Sequence, residues 1–153
     1  MFSFFKKAPK NTSLDWIGTD IHSHILPGID DGSPDVATSV EFVKALSGLG
    51  ISRFFCTPHI FMEMYRNNHE TISYTLELLR TELAKQAVSA EVFAAAEYML
   101  NTDFNDLLKK NQYMMIFPGN YILVEMSYIS QTPNIEQYIF DLHIKGYKPI
   151  LAH

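Results

Sequence analysis

A chain of 153 residues that is 47% hydrophobic is long enough to bury one real core and suits a single domain. Its formal charge of -5 leaves no surplus of basic residues for gripping nucleic acid or an anionic membrane, so any phosphate recognition has to be local. The single cysteine, Cys56, excludes an intramolecular disulfide, and in the apolar run RFFCTP it is expected to be buried rather than reactive.

Residues 1–17 read as an N-terminal tail. It lacks the apolar run of about 7–15 residues that a signal peptide needs, and no segment approaches the roughly 18 apolar residues of a membrane span. A soluble, cytoplasmic protein is the expectation, with an aromatic tail able to rest against a partner. WIGTDIHSHI then predicts a first strand, and Pro27, Gly28 and Gly32 predict the loop after it. Asp35 precedes VATSVEFVKALSGLG, where Val36, Val40, Val43, Leu46 and Leu49 recur at three and four and Gly50 closes the pattern, so a helix is expected.

ISRFFCTPHI predicts a second strand, FMEMYRNNHE a loop, and TISYTLELLRTELAKQ a second amphipathic helix. A third strand in SAEVFAAAEYML and a short helix in TDFNDLLKKN follow. YMMIFPG approaches a fourth strand, YILVEMS; NIEQYIFDLHIKG is helical up to Gly146, and YKPILAH is a fifth strand. Strands alternating with helices imply right-handed crossovers and an α/β fold with a parallel sheet, doubly wound or closed as a barrel.

Each predicted strand ends in a side chain able to bind metal: His22 and His24, His59, Glu97, Glu125 and His153. In parallel α/β folds the carboxyl ends of the strands share one rim, so these six side chains should meet. His22 and His24, two apart on a strand, share a face with Cβ atoms roughly 7 Å apart, close enough to lean onto one ion. Asp30 and Asp31 can add oxygen ligands from the loop, where Gly32 allows a sharp turn. Histidine mixed with carboxylate suits zinc, manganese or iron, and Glu97, beside the small residues Ala94, Ala95 and Ala96, can bridge two ions.

An unpaired carboxylate in the apolar run AAAEYM would be costly, so Glu97 requires a partner, either a cation or a salt bridge. Tyr65 and Arg66, in the loop after His59, can present a hydroxyl and a guanidinium to a phosphate and are the candidate substrate-binding residues. Asp20 is a candidate for orienting a histidine ligand, His69 for a capping or supporting role, and His143 for the surface.

Read in order, DIHSHILPGIDDG, CTPH, AAAEYML, YILVEMS and GYKPILAH resemble the successive motifs of the polymerase and histidinol phosphatase (PHP) superfamily, specifically its bacterial capsular-polysaccharide tyrosine-protein phosphatases. The resemblance runs from about residue 18 to the last residue. It implies a PHP metal-dependent phosphatase domain over residues 18–153, folded as a distorted (β/α)7 TIM-like barrel, with three divalent ions, manganese first and zinc or iron as alternatives. Carried over by motif, His22, His24 and Glu97 hold one ion, Glu97, Glu125 and His153 a second, and Asp31 and His59 the third, with Asp30 the alternative to Asp31.

The implied reaction is hydrolysis of phosphotyrosine on a kinase that regulates polysaccharide export, with no catalytic residue beyond a metal-bound hydroxide that attacks phosphorus in line. The family pattern continues past the histidine matched by His153 into Pro-Glu-Arg-Tyr, and its later strands add an arginine and an Asp-x-His pair. Residues 18–153 are therefore expected to be the N-terminal portion of a longer domain lacking its C-terminal strands; the other reading is that a second subunit covers the ends. Activity of the chain ending at His153 and homo-oligomer formation stay open. Two rival readings are a PHP-type phosphatase of a small phosphomonoester and a catalytically silent interaction module.

Overall fold

A computed structural model describes residues 13–129 and 132–153. In chain order the elements are β1 (Thr19–Ser23), α1 (Val36–Gly48), β2 (Arg53–Cys56), β3 (His59–Ile60), α2 (His69–Lys85), β4 (Glu91–Ala94), β5 (Glu97–Met99), α3 (Thr102–Lys109), β6 (Tyr121–Glu125), α4 (Ile135–Ile144) and β7 (Lys148–Leu151). Every strand pair is parallel, as alternating strands and helices require.

The strands form two sheets, β1-β2-β4 and β3-β5-β6-β7, and among the described residues they do not close into a barrel. The predicted second strand is broken at Thr57-Pro58, where proline has no N–H to give the ladder. The predicted third strand breaks beside it at Ala95-Ala96. Backbone bonds stitch the two breaks together: Ala95 N–H donates to the Cys56 carbonyl at 2.9 Å and Glu97 N–H to the Pro58 carbonyl at 3.1 Å. His59 and Glu97 thus begin strands, paired in register, instead of ending them. The sheets curl, since His22 of β1 and His153 just past β7 approach to 3.4 Å although their strands are the two outer edges.

Three of the four helices carry the start signals expected of Asp and Asn. Asp35 accepts from Thr38 N–H at 2.8 Å, Asn68 forms a reciprocal box with Thr71, and Asn101 accepts from Phe104 N–H at 3.0 Å. The helices bury their apolar stripes on the sheets: Val40 and Val43 of α1 and Ile72, Leu76, Leu79 and Leu83 of α2 meet Phe54, Val92, Ile122 and Val124. Leu49, expected on the buried face of α1, is instead its exposed C-cap.

The first strand is shorter than expected, because Trp16 and Ile17 lie in a turn where Ile17 N–H donates to Leu14. The tail reading falls mostly on residues 1–12, outside the described residues; Leu14 packs against the core and bonds the Leu49 carbonyl. Among the described residues no helix is long and apolar enough to cross a membrane.

One glycine prediction arises here. A Cβ on Gly32 would collide with the carbonyl oxygen and the Cβ of His24, and neither can move without dragging the first strand's end with it. Gly32→Ala should cost about 3 kcal/mol in a urea melt.

Candidate metal centre

The centre is built around Glu97, the first residue of β5, whose side chain is wholly buried at the joint between the two sheets. Neither carboxylate oxygen has a hydrogen-bond partner. Imidazoles surround it instead. Oε1 lies 3.8 Å from His22 Nε2 and 3.6 Å from His153 Nε2; Oε2 lies 3.3 Å from His24 Nε2 and 3.4 Å from His59 Nδ1. Each oxygen thus faces two ring nitrogens, Oε1 those of His22 and His153 and Oε2 those of His24 and His59.

The remaining carboxylates divide by role. Glu125, at the end of β6, sets Oε1 2.8 Å from His59 Nδ1. Asp30, with a fully buried side chain, is consumed by the protein: it accepts from Gly32 N–H at 3.0 Å, from His59 N–H at 3.2 Å and contacts His24 Nδ1 at 2.7 Å. Asp31 points the other way, mostly exposed, with Oδ1 3.5 Å from His59 Nε2. Of the two neighbours, Asp31 keeps its oxygens free for a cation and Asp30 spends its own on the loop.

Electrostatics follow from burial and these neighbours. Burial opposes a charge on His24, but Asp30 and Glu97 outweigh it and raise the ring to about 10. Burial likewise opposes ionisation of Glu97, and His24, His22 and His59 overcome it, holding the carboxyl below its ordinary range. Desolvation dominates at His22 and lowers it, against the pull of Glu97, favouring the neutral form that donates a lone pair to a metal.

The ligand atoms of His22, Glu97 and His153 lie within 4.8 Å of one another, as do those of His24, His59 and Glu97, and those of His24, Asp30 and Asp31. These groupings cut across the three ligand sets that the resemblance implies, since His22 clusters with His153 and Glu125 with His59. Every predicted ligand is nonetheless at this one joint. Tyr65 is here too, its ring stacked on His59 with centroids 5.2 Å apart. Arg66 is turned aside: its Nε donates to the Met62 carbonyl at 3.0 Å, and its side chain lines a cavity of about 480 Å³ with His69, Tyr98 and Tyr113.

Sequence reasoning missed two supporting residues. The orienting role considered for Asp20 falls to Thr57, whose buried Oγ1 sits 2.6 Å from His22 Nδ1, while Asp20 accepts only the His22 backbone N–H. Tyr128 places its hydroxyl 2.9 Å from His153 Nδ1. Thr57 had a signal, the Thr-Pro-His run; Tyr128, 25 residues from its partner, had none. His143 is exposed, as expected, whereas the cap considered for His69 is supplied by Asn68, and His69 is the first residue of α2 with its ring edge-on to Tyr113.

The pattern that defines capsular polysaccharide synthesis proteins CpsB/CapC matches residues 18–153. The chain belongs to the CpsB/CapC family. It is 33% identical over 134 residues to the tyrosine-protein phosphatase YwqE of Bacillus subtilis, covering 88% of this chain and 53% of the relative. It is 27% identical over 135 residues to the tyrosine-protein phosphatase CpsB of Streptococcus pneumoniae, covering 88% and 55%. A solved structure from the work on YwqE and CpsB, described as unique metal-dependent tyrosine phosphatases, superposes with a TM-score of 0.79 at 33% identity over 88% of this chain and 55% of that one. This CpsB/CapC chain therefore spans about half the length of the relatives it matches.

Proposed function

We propose that this chain forms the metal-holding part of a metal-dependent protein-tyrosine phosphatase in the cytoplasm, acting on a tyrosine kinase that regulates capsular polysaccharide export. Residues 18–153 belong, in this reading, to a distorted (β/α)7 barrel of the PHP type. The observation that carries it is Glu97, a buried carboxylate with no donor of its own and two ring nitrogens facing each oxygen. Such a group needs positive charge beside it, and a mixed imidazole and carboxylate set fits manganese, zinc or iron. The relatives' activity and metal dependence support the same reading.

His22, His24, Asp31, His59, Glu97, Glu125 and His153 are the proposed ligands of three ions, manganese foremost, with Glu97 shared between two. Bound there, divalent ions supply Lewis acidity toward phosphoryl oxygens and a water acidified to act near neutral pH. The chain's own groups hold the arrangement. Asp30 fixes the His24 ring through Nδ1, Thr57 fixes His22 in the same way, and Tyr65 borders the approach of the phosphopeptide, while Arg66 would have to leave the Met62 carbonyl to reach a phosphate there. Cys56 is no nucleophile, because it is fully buried and burial, with help from Asp20, pushes its thiol up to about 12.

Hydrolysis of a phosphotyrosine peptide should fall at least about a hundredfold in chelator, return on adding manganese, and be unchanged in Cys56→Ser. Full activity in chelator, or its loss in Cys56→Ser, would overturn the reading. Thr57→Val, which keeps the shape and removes the oxygen, should weaken manganese binding by about 10–100-fold in calorimetry, with Thr57→Ser restoring it.

A further inference from the structure

The four imidazoles form one uninterrupted row with a tyrosine at each end. Ring centroids run Tyr65 to His59 at 5.2 Å, His59 to His24 at 4.5 Å, His24 to His22 at 5.3 Å, His22 to His153 at 5.4 Å and His153 to Tyr128 at 5.8 Å. Both end rings lie nearly flat on their imidazoles, at 13° and 22°. Tyr128 is 80% exposed, so its stacking and its hydroxyl bond to His153 Nδ1 hold an aromatic face toward solvent and not toward the core. Ordering an exposed aromatic ring costs conformational entropy, and the rest of the fold does not need it.

We infer that Tyr65 and Tyr128 are specificity-determining residues, which favour the aromatic leaving group of an aryl phosphomonoester over an alkyl one. This rests on the phosphatase reading of the same centre. A phosphate held at the row with its ester oxygen toward solvent would carry the group beyond that oxygen past Tyr65 at one end or Tyr128 at the other. An aryl ring there meets aromatic faces at one end of the row or the other, in the stacked or edge-on geometries that such rings favour. The short aliphatic side chain of a phosphoserine or phosphothreonine reaches neither.

The test compares phenylphosphonate with methylphosphonate, neither of which can be hydrolysed as an ester, binding to the manganese-loaded protein in calorimetry. Methylphosphonate reads the cations alone, so the ratio of the two affinities isolates the ring and cancels any change in the metals. The protein should prefer phenylphosphonate by about tenfold. The double variant Tyr65→Ala with Tyr128→Ala should reduce that preference to about twofold or less, whereas Tyr128→Phe, which keeps the ring and drops the hydroxyl, should retain it. An unchanged ratio in the double variant, or equal affinities in the parent protein, would overturn the inference while leaving the phosphatase reading intact. If neither phosphonate binds the manganese-loaded protein, the phosphatase reading fails first and takes the inference with it.

Discussion

Replacing Glu97 with glutamine is expected to abolish the stabilisation that divalent cations give this protein. Among the described residues this side chain is the one group that faces four imidazoles at once, and an amide of the same shape offers one neutral oxygen and a donor where two anionic oxygens stood. A ligand that binds only the folded state stabilises it by an amount set by its concentration over its dissociation constant, about 2.7 kcal/mol at a hundredfold excess. Melting curves with and without manganese should separate clearly for the parent protein and coincide for Glu97→Gln. A Glu97→Gln protein that still gains its full manganese-dependent shift would remove the carboxylate from the centre.

Asp30→Asn is expected to destabilise the metal-free protein by about 3 kcal/mol, because it removes one partner from a buried, hydrogen-bonded charge pair and leaves His24 to Glu97 alone. The pH dependence should change with it. Burial opposes ionisation of Asp30, but His24 and the Gly32 and His59 N–H groups outweigh burial and hold the carboxyl below its ordinary 3.8. Its contribution is complete above 3.8 and is lost as pH falls through the lower folded value. His24, raised from 6.5 to about 10, contributes fully below 6.5 and loses that contribution as pH rises toward about 10. Urea midpoints in chelator should therefore be highest between these limits and fall on either side, and both slopes should shrink in Asp30→Asn. Identical pH profiles for the two proteins would show that the pair does not hold the loop.

The helices were legible because their signals are local. Periodicity located α1 to α4 within about two residues, and Asp35, Asn68 and Asn101 cap where an oxygen-bearing side chain precedes an apolar stripe. The strands were less legible for a physical reason. A run such as SAEVFAAAEYML has no punctuation at Ala95-Ala96, and what breaks it is Ala96 N–H turning to the Met115 carbonyl, a partner that no local pattern announces.

The metal-capable side chains could be read from residue type and strand position, and the structure brings all of them to one joint. Their grouping could not. Whether Asp30 or Asp31 turns inward depends on which oxygen meets the Gly32, His59 and His24 donors, and Thr57 finds His22 across 35 residues of chain.

The sole sulfhydryl of the chain, on the last residue of β2, has no exposed surface and an acidity too weak to form a thiolate near neutrality. Peroxide and alkylating agents, which silence hydrolases that attack through sulfur, find no foothold on it. In the proposed metal-dependent reading, reagents that act only on sulfur would leave the chemistry of the centre untouched.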